Sequence, residues 1–237
     1  MPRRWIVVPA AGSASRFGAA QPKQYADLGG TPMILRTLDR VAALDASAIV
    51  VVLAPDDTQF ERIVPQRPGV EALRRGGSTR AASVRNALIA LASRCADDDW
   101  ILVHDAARPC VPRDALRSLV ETIGDDPVGG LLALPLTDTL KRADASADAP
   151  RVLRTEDRSS LWLAQTPQMF RYRVLADAIE LDAADDATDE AQAVEALAAT
   201  GACTMPRLVP GSPANIKVTY AGDLALAASI LRTQGDP

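Results

Sequence analysis

The chain has 237 residues, of which 48% are hydrophobic and 4% aromatic, and carries a formal net charge of −4. That length suits one large α/β domain whose core must be filled by aliphatic side chains. The acidic balance argues against a nucleic-acid or anionic-membrane partner, which needs a broad basic surface, but leaves room for a small anion held by a local cluster of Arg and Lys.

Cys95, Cys110 and Cys203 are far apart and lack CxxC spacing. Neither a disulfide framework nor a zinc site is therefore expected, and a reducing compartment is. The apolar stretch near Met1 is too short for a signal peptide, and no run approaches the ~18 apolar residues of a membrane span. The expected location is the cytoplasm.

In chain order, Trp5 to Ala10 is a β-branched run that ends in a Gly-containing loop, the pattern of a buried first strand. Met33 to Leu44 has helical apolar spacing. Ile49 to Leu53 reads as a second strand and Thr79 to Leu91 as a helix. Trp100 to Val103 is a short strand running into His104-Asp105; Ala115 to Ile123 is helical and Val128 to Leu136 a strand. Residues 137–163 break the alternation. Their flanks, Thr139 to Arg142 and Arg151 to Thr155, can pair as a polar hairpin that is either a flexible loop or an arm packing on another subunit. Helices are expected around Val174 to Leu181 and Thr188 to Ala199, strands near Thr204 to Val209 and Asn215 to Val218, and a last helix over Gly222 to Leu231. Alternating apolar strands and amphipathic helices predict a mostly parallel sheet covered on both faces, with ligands beyond the carboxyl ends of the strands.

Three loops at such strand ends carry chemistry. Pro9-Ala-Ala-Gly12, with Arg16 and Lys23 downstream, offers small residues for close approach to a polyphosphate and fixed positive charge. It matches neither GxGxxG nor the P-loop. Gly76 to Ser83 opens a helix and reads on its own as an ordinary N-cap by Ser78 or Thr79. His104-Asp-Ala-Ala-Arg108 puts a carboxylate at a strand end, suited to a ribose hydroxyl or a hydrated divalent cation. His104, the only histidine, reads as a hydrogen-bonded structural residue, because no GxSxG elbow accompanies it.

In one order, the chain carries Pro9-Ala-Ala-Gly with Pro22-Lys-Gln-Tyr, Gly76-Gly…Arg80…Ser83, His104-Asp-Ala-Ala-Arg-Pro, Asp138-Thr-Leu-Lys-Arg, Asp157-Arg…Leu-Trp162, Gln165-Thr-Pro-Gln, Thr188-Asp-Glu-Ala and Asn215-Ile-Lys-Val-Thr. The series resembles the 2-C-methyl-D-erythritol 4-phosphate cytidylyltransferases of the non-mevalonate isoprenoid pathway over about residues 5 to 231. The resemblance implies a Rossmann-like nucleotidyltransferase with an extended β-arm, and a homodimer formed through that arm. It also implies Mg²⁺, CTP and a polyol phosphate as reactants, and release of pyrophosphate. By position, Arg16 and Lys23 would stabilise the pentacoordinate phosphorus. Lys217 and Arg158, the latter from the neighbouring arm, would hold the acceptor phosphate. Ala10, Ala11, Gly12, Gly77, Ser83 and Ala106 would surround the cytosine nucleotide, and Asp105, Arg108, Thr139 and Thr188 the acceptor. Asp105 is expected to reach Mg²⁺ at most through water. Two positions depart from the family pattern: Ala14 stands for a usual Gly, and Ser78 for a frequent acid.

A related cytidylyltransferase for ribitol 5-phosphate shares the CTP half, but the acceptor-half motifs favour methylerythritol phosphate. The intact cations argue against a non-catalytic nucleotide-binding subunit. A DxD-type glycosyltransferase is disfavoured because Asp97-Asp-Asp99 precedes a strand instead of following one.

Overall fold

The computed structural model describes residues 1–12, 22–144, 149–181 and 187–235. Arg16 and Ala14 lie outside the described residues. In chain order the strands and helices are β1 (Arg4–Pro9), α1 (Met33–Val41), β2 (Ala48–Val52), α2 (Phe60–Ile63), β3 (Val70–Leu73), α3 (Arg80–Leu91), β4 (Trp100–Val103), α4 (Arg113–Ile123) and β5 (Gly129–Pro135). They continue as β6 (Lys141–Asp144), β7 (Arg151–Thr155), β8 (Trp162–Arg171), α5 (Tyr172–Ile179), α6 (Glu190–Ala199), β9 (Arg207–Pro210) and α7 (Asp223–Thr233). A seven-stranded sheet has the order β3-β2-β1-β4-β8-β5-β9, and β6 and β7 form a separate two-stranded sheet.

The expected mostly parallel sheet is present, with one exception: β8 runs antiparallel to both β4 and β5. Successive side chains of β1 point to opposite faces. Ile6 and Val8 join a cluster with Ile34, Leu38 and Leu116, whereas Trp5 and Val7 join one with Val84, Leu88 and Leu175. Both faces are thus sealed by helices, and a buried strand reads as a continuous apolar run. From β1 the chain winds outward through β2 and β3, then returns to place β4 on the other side of β1. The strand ends diverge there and leave a crevice beyond Pro9 and Val103.

Three features differ from the sequence expectations. The single turn of α2 was not expected, whereas the strand expected before Gly76, without bounds, is β3, a half-buried edge strand that lacks an apolar run. Trp162 and Leu163 pair with Pro135 and Leu134, so the main sheet resumes inside the expected arm. Asn215 to Val218 is not a strand. It is irregular chain, held by the buried Asn215 side chain donating to Thr166 O (2.8 Å) and by Val218 N donating to Ala107 O (2.8 Å). Its apolar alternation reflects Val218 packing with Ala107, Met33 and Leu231 in a third cluster, not strand pairing.

Two close approaches fix the sheet beside the site. Gly129 has φ +127°, and a Cβ there would lie 2.1 Å from Met169 O. His104, fully buried, ties β4 to β8. Its Nε2 lies 3.1 Å from Arg108 O, which can only accept, so Nε2 carries the proton. Its Nδ1 then accepts from the Thr166 hydroxyl at 3.0 Å, and that oxygen accepts from Asp105 N at 3.0 Å. Burial, only partly countered by the neighbouring Asp105 carboxylate, pushes the imidazole down to about 4.

Gly129→Ala is expected to destabilise the fold by roughly 2 kcal/mol or more, read from urea unfolding, because it adds both a backbone clash and a disfavoured φ. For His104, the folded-state pKa is depressed, so acid protonates the unfolded chain first. Its contribution is complete above about pH 6.5 and is lost as pH falls toward 4, by on the order of 3 kcal/mol. His104→Gln should therefore be less stable than wild type at pH 7, and the gap should narrow at pH 4.5. A gap independent of pH would show that the buried imidazole is not the titrating group.

Candidate active site

The crevice holds two adjoining cavities of about 450 and 210 Å³. The larger lies over the β1 end. Ala10, Ala11 and Gly12 form one wall, Gly77 and Ser83 another, Ala106 and Lys23 the rest. The smaller lies over the β4–β8 seam, bounded by Arg108, Thr166, Gln168 and Thr188. Arg80, Asp105 and Lys217 line both.

The walls of the larger cavity are backbone because side chains would not fit. A Cβ on Gly76 would stand 2.3 Å from the Ala11 Cβ, and one on Gly77 2.5 Å from the Ala82 Cβ. Gly77 N donates to Ser83 Oγ at 3.0 Å, and that hydroxyl donates to Thr79 O at 3.0 Å. The Ser83 proton is thus committed, and what the side chain offers the cavity is a lone pair. Thr79, not Ser78, caps α3, accepting from Ala82 N. Lys23 is set by its neighbours: Gln24 donates to Ala10 O at 2.8 Å, and the Tyr25 hydroxyl donates to Asp57 at 2.6 Å.

Asp105 is the electrostatic centre. Its Oδ2 meets Lys217 Nζ at 2.8 Å, and its Oδ1 accepts from Arg80 Nε at 3.0 Å. Burial alone would push this carboxyl up, but the charges of Arg80 and Lys217 hold it well below the usual carboxylate range. Arg80 continues as a fork onto Glu190, with Nη2 donating to Oε2 at 2.9 Å. Glu190 is 2% exposed, and burial raises its carboxyl despite Arg80. Arg108 donates to Asn215 O at 2.6 Å, which fixes the chain leading to Lys217. Burial lowers the Arg108 guanidinium, with Asp105 opposing.

The structure therefore brings Ala10, Ala11, Gly12, Lys23, Gly77, Ser83 and Ala106 to one cavity, and Arg108, Thr188 and Lys217 to the second. Asp105, expected on the acceptor side, faces both. Arg16 falls outside the described residues. Thr139 and Arg158 are exposed on the arm and line neither cavity of the chain. Sequence reasoning assigned no role to Arg80, Glu190 or Thr166. Arg80 and Glu190 are the first residues of α3 and α6, positions where charged side chains are common. Only their burial together marks them, and no local pattern reports that.

Relatives come into view at this point. A family model described as 2-C-methyl-D-erythritol 4-phosphate cytidylyltransferase (IspD) matches residues 5–233. A protein of that name from Dechloromonas aromatica is 53% identical over 237 residues, covering 99% of this chain and 100% of its own. One from Laribacter hongkongensis is 52% identical over 233 residues, covering 98% of this chain and 97% of its own. A crystal structure of 4-diphosphocytidyl-2C-methyl-D-erythritol synthase superposes with a TM-score of 0.83 at 36% identity, covering 98% and 99% of the two chains. The Francisella tularensis 2-C-methyl-D-erythritol 4-phosphate cytidylyltransferase structure gives 0.78 at 32% identity, covering 97% of this chain and 100% of that one. The chain belongs to the 2-C-methyl-D-erythritol 4-phosphate cytidylyltransferase family.

Proposed function

We propose that the chain transfers CMP from CTP to 2-C-methyl-D-erythritol 4-phosphate, giving 4-diphosphocytidyl-2-C-methyl-D-erythritol and pyrophosphate. The observation that carries this reading is the pair of adjoining cavities sharing Arg80, Asp105 and Lys217. The larger holds the nucleotide against the Ala10–Gly12 and Gly77 backbone, with Lys23, and Arg16 by its family position, toward the phosphates. The smaller holds the acceptor, with Lys217 and Arg108 toward its phosphate and Thr188 toward the polyol. An acceptor phosphate oxygen attacks the α-phosphorus in line. The new P–O bond forms as the bond to the β-phosphate oxygen breaks, and pyrophosphate leaves. The chain positions the reactants and stabilises charge. The free lone pair of Ser83 suits the exocyclic amine of cytosine, a donor, better than the carbonyl of uracil.

Mg²⁺ fits this site as a companion of the nucleotide. Among the described lining residues of the larger cavity, Asp105 is the one carboxylate, and Arg80 and Lys217 already engage its oxygens. Among the described residues, no group of three His, Cys, Asp or Glu could hold a metal. Asp105 would therefore be the residue to hold the ion, through water. When bound, the ion neutralises charge gathering on the phosphate oxygens.

The chain is read as one nucleotidyltransferase domain whose segment 137–163 carries an arm for homodimerisation that ends where β8 rejoins the main sheet at Trp162. Exposed Val152, Leu153 and Leu161 on and beside that hairpin support this role, since apolar side chains there lack cover within the chain. Thr139 and Arg158 would reach the acceptor cavity of the partner. No nucleic-acid or membrane partner belongs to this reading. Among the described residues no helix is long and apolar enough to cross a membrane, and Cys95, Cys110 and Cys203 form no disulfide. We assign the cytoplasm.

A pyrophosphate-release assay should show turnover with CTP and methylerythritol phosphate, and little with ribitol 5-phosphate or with UTP. Preference for ribitol 5-phosphate would overturn the acceptor assignment. Lys23→Ala should lower kcat by roughly a hundredfold or more without unfolding the chain. The arm is tested by mixing. Arg158→Ala and Lys217→Ala proteins, each nearly inactive, should together regain up to about a quarter of wild-type activity through heterodimers with one intact site. Absence of any recovery after subunit exchange would refute a shared site.

A further inference from the structure

Arg80 sits where the two cavities meet, and its guanidinium spans two carboxylates that come from different parts of the fold. It binds Asp105 Oδ1 through Nε at 3.0 Å and Glu190 Oε2 through Nη2 at 2.9 Å. Glu190 is the first residue of α6, and that helix start is itself pinned to β8. The Gln168 amide donates to Asp189 Oδ2 at 2.9 Å and accepts from Ala191 N at 2.8 Å. The other Asp105 oxygen, Oδ2, holds Lys217 Nζ at 2.8 Å. A continuous series of charge-assisted contacts thus runs from α6 through Arg80 and Asp105 to the Lys217 ammonium, whose side chain is 45% exposed at the cavity.

The planar guanidinium of Arg80, itself locked by its two-pronged bond to Glu190, holds Asp105 Oδ1 in one direction, and the cation on the second oxygen inherits that direction. We propose that Arg80 is a positioning residue for the acceptor: by clamping Asp105 against Glu190, it aims Lys217 at the acceptor phosphate. The proposal rests on the assignment of Lys217 to the acceptor made above. A lysine at this position keeps one charge but cannot span both carboxylates, so the charge is retained while the clamp is lost.

The test is a double-mutant cycle on the full-length protein, with KM for CTP and for methylerythritol phosphate measured separately. Lys217→Ala should raise the acceptor KM. Arg80→Lys should raise the acceptor KM about tenfold or more with the CTP KM changed less than about threefold. In the Lys217→Ala background Arg80→Lys should add almost nothing. If Arg80→Lys does not fold, Arg80→Gln combined with Glu190→Gln removes the clamp without leaving a lone buried carboxylate, and the same non-additivity is expected. An effect of Arg80→Lys that persists undiminished without Lys217 overturns the relay, as does an unchanged acceptor KM in a folded variant. An unchanged acceptor KM in Lys217→Ala alone overturns the assignment of Lys217 itself, a distinct failure.

Discussion

The constraint on which the site depends is that Asp105 is ionised and 7% exposed at the end of a buried strand. A carboxylate taken out of water costs several kcal/mol unless charges and hydrogen-bond donors replace the solvent. Those replacements are Arg80 from α3 and Lys217 from the chain after β9, with the Arg108 guanidinium 3.8 Å from Oδ2. Two other segments, α3 and the chain after β9, must therefore converge on the β4 end to stabilise the buried charge. A buried ion pair is weak evidence of net stabilisation, since apolar replacements of similar volume are often as stable. What the cluster supplies is fixed direction for its cations, and that is the property a group-transfer site needs.

Convergence at this point follows from topology. β1 and β4 are neighbours in the sheet, and the larger cavity lies at their carboxyl ends, lined by Ala10 to Gly12 after β1 and Asp105 to Ala107 after β4. The walls of that space are backbone where a ligand must come close. Gly76 and Gly77 leave no room for a side chain, and Gly76 N donates to Leu53 O at 2.8 Å, which binds the second wall to the sheet. The lower wall is equally constrained: Thr37 donates to Ala106 O at 2.9 Å, so the loop after β4 is fastened to α1.

What the sequence disclosed and what it hid divide along local and non-local lines. The alternation of apolar strands and helices, the loops at Ala10–Gly12 and His104–Arg108, and the paired flanks of the arm are local patterns, and each was legible. The strand before Gly76 was expected from its loop, but the half-buried edge strand β3 has no apolar run to mark its bounds. The segment carrying Lys217 imitates a strand because Val218 faces a core and its neighbours do not. Glu190 and Arg80 are 110 positions apart, so their pairing is created by the fold, which brings the starts of α6 and α3 together, and has no signature in either segment. Ser83 was assigned to the base edge, and the structure adds which way its proton points.

The same hydrogen-bond accounting bears on the kind of chemistry the cavity can host. A covalent intermediate needs a nucleophile beside a base, or one with a lowered pKa. The hydroxyl protons of Ser83, Thr166 and Thr188 go to Thr79 O, His104 Nδ1 and Gln192 Oε1. The imidazole that could have served as base is fully buried, with both nitrogens engaged. What does face the larger cavity is cationic: Lys23, Arg80 and Lys217 against the single carboxylate of Asp105 among the described lining residues. In a protein of net charge −4, that local excess makes the crevice suited to an anion. Direct displacement at phosphorus, as proposed above, asks for stabilised oxygen charge and aligned reactants, and cations anchored to the sheet through Asp105 are suited to both without a bond to the protein.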